Sequence, residues 1–149
     1  MEVIMDKKCN QNCEITDLGN NPTIVNIDAL SMKNQNFRTT LWTGKNSQVT
    51  LMSIPPCSDI GVEMHPNVDQ FLRIEAGTAL VQFGECKERL IDQRRINCCY
   101  AIMIPAGTWH NIVNVGNTPL KLYSVYAPPQ HPASTIHQTK EIAKTAEKH

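Results

Sequence analysis

The chain has 149 residues, 41% of them hydrophobic and 19% charged, enough for one domain with a buried core and too apolar for wholesale disorder. Lys plus Arg number 14 and Asp plus Glu number 14, so the electrostatic footprint of a nucleic-acid binder is missing and small molecules are the expected partners. No stretch is long and apolar enough to span a bilayer, which excludes a membrane partner of that kind.

The N-terminus, MEVIMDKKCNQNCE, carries acids and amides where an export signal needs an apolar run, and sets the expectation of a cytoplasmic protein. There the six cysteines are read as reduced thiols. Cys98 and Cys99 are adjacent and bridge each other poorly; Cys9 and Cys13 have the spacing of half a zinc site, with no second pair to complete it. The first twenty residues are polar throughout and read as an arm, either packed on a partner subunit or without fixed structure.

From residue 21 to 130 the pattern is that of one β domain. Short apolar or alternating runs predict strands at 23–30, 37–44, 48–55, 69–76, 78–84, 101–105, 110–115 and 120–128. Turn signals separate them: Thr43-Gly44, Pro55-Pro56, Ala76-Gly77, Gly84, Pro105-Ala106-Gly107 and Gly116-Asn117. Many short strands between regular turns predict a sandwich or barrel rather than βαβ units. Residues 131–149 form a tail whose last part, TKEIAKTAEKH, predicts a frayed, solvated helix or no fixed structure, because it has little apolar face to bury.

Residues two apart on a strand face the same way, which pairs Glu63 with His65. Pro66-Asn67 bends the chain, and a hairpin onto 69–76 turns Gln70 to that same face, followed by Leu72 and Ile74 as the inner apolar side. Asp69, Phe71, Arg73 and Glu75 then face outward. Downstream of the turn at Pro105-Ala106-Gly107, His110, Ile112 and Asn114 share one face. If that strand lies beside the hairpin, Glu63, His65, Gln70 and His110 converge. Two imidazoles and a carboxylate are a donor set suited to Fe(II), with Mn, Ni and Zn also fitting; the Gln oxygen is a weaker fourth ligand.

These two segments resemble the paired signatures of the cupin superfamily, small all-β jelly-roll barrels (double-stranded β-helices) with a metal inside. The first signature runs G-x5-H-x-H-x4-E-x6-G; with Glu63 at the first His, His65 at the second and Gln70 at the Glu, Gly77 falls on the last Gly. The second, G-x5-P-x-G-x2-H-x3-N, matches Pro105, Gly107, His110 and Asn114. Cys57 and Cys99 stand at the two leading glycine positions, where a positive φ is usual and a cysteine costs about 1 kcal/mol. The resemblance implies a divalent metal (Fe, Mn, Ni or Zn) on Glu63, His65, Gln70 and His110, with the anionic charge moved from the usual glutamate position to Glu63.

Further on, YAPPQHPASTIHQTK (126–140) is similar to the tail of many small stand-alone bacterial cupins, with Ser134 where that pattern has Gly. Its His131 and His137 are candidate catalytic groups, lying over the barrel mouth as substrate contacts or proton carriers. The family implies a homodimer built through open sheet edges. The expected function is a metal-binding small-molecule protein, as an enzyme of isomerase or lyase type acting on a sugar derivative or organic acid. An iron-dependent dioxygenase and a non-catalytic ligand-binding barrel are the competing readings, since cupins host many reactions.

Overall fold

The computed structural model describes residues 14–147; Cys9, Cys13 and the first thirteen residues of the expected arm lie outside them. Helix α1 spans Ile27–Lys33, and strands follow as β1 (Arg38–Thr43), β2 (Gln48–Ile54), β3 (Asp69–Ala76), β4 (Ala79–Gly84), β5 (Asp92–Ile96), β6 (Ala101–Ile104), β7 (Trp109–Asn114), β8 (Leu120–Ala127) and β9 (Ile136–His137). Helix α2, Lys140–Glu147, closes the described chain. The strands form a six-stranded sheet in the order β6-β3-β8-β2-β1-β9 and a three-stranded sheet in the order β5-β4-β7. All their pairings are antiparallel. This is the jelly-roll architecture expected.

Side-chain alternation sorts the large sheet's inner face into two zones. Met52, Ile54, Leu72, Ile74, Leu120 and Leu122 are all within 2% of full burial and meet Ala79, Val81 and Ile112 of the small sheet. Toward the other end the registered partners become polar: Gln48 and Gln70 both flank Tyr126, and Thr50 faces Ser124. Apolar area removed from water holds one end together, at roughly 25 cal/mol per Å². The other end forms a polar chamber.

Three sequence expectations are corrected. The run 23–30 is no strand. Asn26 caps a helix, its side chain accepting from the Ala29 N–H at 3.1 Å, and Ile27, Leu30, Ser31 and Asn34 follow at helical spacing. This local capping outweighs the β-branched residues before it, and the helix lies on the outer face of β2, β3 and β8. Strand β5 was hidden because Asp92, Gln93, Arg94 and Arg95 are exposed and show no apolar alternation. Glu75, expected on the outer face with Arg73, does pair with that guanidinium but is buried there, beside the bulge between Ile74 and Ala76.

The tail is also part of the fold rather than a solvated appendage. β9 pairs with β1 through Arg38↔His137 and Thr39↔Ile136. Helix α2 buries only one small apolar residue, Ala143, in the core, which is why the hydrophobic pattern understated it. Its ends are tied by ion pairs of Lys140 with Asp59 and Glu147 with Arg38. Asp17 joins both termini to β1, accepting from Thr43 Oγ1 at 2.7 Å and the Ser134 N–H at 3.0 Å.

Cys57 (φ 64°), Cys99 (φ 75°) and Ser134 (φ 62°) occupy left-handed backbone conformations, as their places at glycine positions of the resemblance implied. Each side chain stands where only glycine is unstrained. Cys57→Gly and Cys99→Gly should each raise the stability measured by urea unfolding, by about 0.5–1 kcal/mol. A loss of stability in both would refute the strain.

Candidate metal centre

Contrary to the hairpin expected from the sequence, Glu63 sits on no regular strand and does not pair with β3. It bridges instead to His110 on β7, each backbone N–H donating to the other's carbonyl at 3.0 Å. The turn after β6 docks on the same segment: the Gly107 N–H donates to the His65 carbonyl at 2.8 Å and the Ala106 N–H to Asp69 Oδ1 at 2.9 Å. Three backbone–backbone hydrogen bonds and one from a backbone N–H to the Asp69 carboxylate thus clamp the two motif segments face to face. The side chains of Glu63, His65 and His110 converge, with one donor atom from each lying within 4.8 Å of the others.

The protonation pattern follows from the partners. His110 Nδ1 lies 2.9 Å from the Thr108 carbonyl, which can only accept, so Nδ1 donates there and Nε2 is the nitrogen turned to Glu63. Burial alone would raise the Glu63 carboxyl, but the imidazoles of His110 and His65 hold it down at about 2. Glu63 Oε1 stands 3.3 Å from His110 Nε2 and 3.4 Å from His65 Nε2. His65 Nε2 is buried without a hydrogen-bond partner. An anion and two ring nitrogens aimed at one point call for a positive species between them. A divalent cation fits this donor set.

Gln70, on β3, is buried with Oε1 unpartnered, while Nε2 donates to Ser124 Oγ at a long 3.4 Å. Asn114, the last residue of the second motif, is structural: it donates to the carbonyls of Ile54 and Thr118 and accepts from the Gly116 N–H, each at 2.9 Å.

A family model for the cupin domain matches residues 50–126. The chain is a cupin. The uncharacterized protein YrkC of Bacillus subtilis (strain 168) is 56% identical to it over 137 residues, 92% of this cupin and 74% of YrkC. A mimivirus protein, L612 of Acanthamoeba polyphaga mimivirus, is 42% identical over 76% of the chain and 69% of its own length. Among solved structures, BH2720 of Bacillus halodurans is 56% identical and superposes with a TM-score of 0.87, covering 88% of this cupin and 99% of that chain.

Both tail histidines reach the chamber. His131 packs edge-on against Tyr126 at 5.2 Å, and Tyr126 against His65 at 5.9 Å. Gln48, passed over in the sequence, sets this arrangement: its Oε1 accepts from the Gln130 and His131 N–H groups, and its Nε2 donates to the His131 carbonyl at 2.8 Å. Arg38, also passed over, is buried with NH1 3.3 Å from His137 Nδ1. Inward alternation from Thr40 was the signal available for Arg38. Burial pushes the Tyr126 phenol up to about 12, so it stays neutral.

Burial, and then the Arg38 charge, lower His131 to about 3, far below its ordinary value near 6.5. Its proton is therefore taken up by the unfolded chain first, and native stability falls as pH drops from about 6.5 toward 3. Urea unfolding at pH 7 and pH 5 should show His131→Gln losing less stability than the unsubstituted protein. The difference expected is about 1–2 kcal/mol, at no more than roughly 1.4 kcal/mol per pH unit. Equal losses in both would place the imidazole in water.

Proposed function

We propose that this cupin is a metal-dependent enzyme acting on a small polar molecule in the barrel chamber, by isomerase or lyase chemistry. The observation that carries this reading is the convergence of Glu63, His65 and His110 donor atoms within 4.8 Å of one another. Gln70, with its free oxygen, is the proposed fourth ligand. Fe, Mn, Ni and Zn all suit two imidazoles with one carboxylate. A bound divalent ion supplies Lewis-acid polarisation of a substrate carbonyl or hydroxyl.

The remaining work falls to the chain. The buried walls exclude water and strengthen each polar contact with the substrate. His131, neutral and with Nε2 unpartnered, accepts a hydrogen bond from substrate. The Tyr126 phenol donates, and Gln48 keeps the His131 backbone fixed while this happens. His137 supports the Arg38 guanidinium. An iron-dependent dioxygenase is the second reading, favoured by the same two-histidine, one-carboxylate set.

Elemental analysis after reconstitution with each metal should find one ion per chain. Glu63→Ala and His110→Ala should weaken affinity more than about 100-fold, beyond the loss typical of a supporting residue. No binding in the unsubstituted protein, or full binding in Glu63→Ala, would overturn the metal centre. A screen of sugar phosphates and uronates, run with oxygen uptake, separates isomerase or lyase turnover from oxygenation.

A further inference from the structure

Among the described residues, Arg38 is the only lysine or arginine that is fully buried. It stands on β1 opposite Met52 and His137, which places it on the inner face of the large sheet. Its charge reaches Tyr126 and His131, as does that of Glu63. A guanidinium taken out of water requires an anion beside it. The anion present is Glu147, touching NH1 at 3.4 Å through one oxygen of a side chain 52% exposed. That contact is long and largely solvated, and Arg38 Nε is left with no partner at all.

The orphaned buried atoms repeat the message. Apart from Ser31 on α1, every unpartnered buried side-chain atom among the described residues belongs to the chamber: Arg38 Nε, Thr50 Oγ1, His65 Nε2, Gln70 Oε1 and His131 Nε2. Buried polar atoms are seldom left without a partner, whether protein, water or ligand, so this cluster marks where polar groups of a bound molecule would be received. We infer that the chamber binds a small organic carboxylate, its carboxylate on the Arg38 guanidinium and its remaining oxygens turned toward Thr50, Gln70, His131 and the metal position. Glu147 holds the place of that carboxylate when the chamber is empty of it. The group that already reaches the guanidinium, the Glu147 side chain, is itself a carboxylate.

This inference rests on the metal-centre reading for the ligand's second anchor, and its test separates the two. Malonate binding is followed by calorimetry on the full-length protein loaded with zinc, with zinc content measured for every variant. Arg38→Gln should weaken malonate about tenfold to a hundredfold, the loss of one hydrogen-bonded charge, and leave zinc content unchanged. Arg38→Lys should keep part of the affinity. Glu147→Gln should strengthen binding up to about fivefold by removing the internal competitor. This last variant tests the proposal even if Arg38→Gln fails to fold. Neutral malonamide should not compete.

Equal binding by Arg38→Gln, competition by malonamide, tighter binding of inorganic phosphate than of malonate, or no saturable malonate binding to zinc-loaded protein would each overturn the carboxylate site. Arg38-dependent malonate binding to a protein that takes up no zinc would instead overturn the metal centre and uphold the anion site.

Discussion

The two hydrogen bonds between the Glu63 and His110 backbones, each 3.0 Å long, are the join on which the chamber depends. They link a segment with no regular structure to the start of β7, and so bring together side chains 47 residues apart in sequence. The docked turn at Pro105-Ala106-Gly107 fixes the same segment from its other side through His65 and Asp69. Because none of these contacts uses the side chains of Glu63, His65 or His110, those side chains are left free to face one another. A site built this way is preorganised: the cost of gathering an anion and two imidazoles is met by folding.

The division of the barrel interior follows from the same geometry. Leucine, isoleucine and methionine at one end supply the burial that keeps the sheets packed. At the other end, alternation continues onto Gln48, Thr50, Gln70, Ser124 and Tyr126, which would be a costly set of residues to bury for packing alone. Gln48 uses both ends of its amide on the chain beyond β8. Thus a buried residue at the start of β2 decides where His131 stands, and α2 with β9 closes the wall that carries Arg38 and His137.

Much of this was legible in the sequence. The seven strand runs from 37 to 128 correspond to β1–β4 and β6–β8, because a half-buried strand shows period-two alternation. The spacing of Glu63, His65 and His110 against Gly77, Pro105 and Gly107 singled out the residues that converge, and the cysteines at glycine positions have the positive φ that those positions demand. What was hidden is equally physical. Asn26 capping made a helix of an apparently β run, β5 has four polar residues in five and leaves no periodic trace, and α2 docks through a single alanine and two ion pairs. Arg38 and Gln48 look like ordinary polar strand residues until the partners that surround them are known.

The central claim is that Glu63, His65 and His110 hold one cation between them. X-ray absorption at the zinc edge of the reconstituted cupin tests it most directly. A first shell of oxygen and nitrogen only, with the outer scattering of two imidazoles, is the result predicted. Sulfur in that shell, or fewer than two imidazoles, would contradict it.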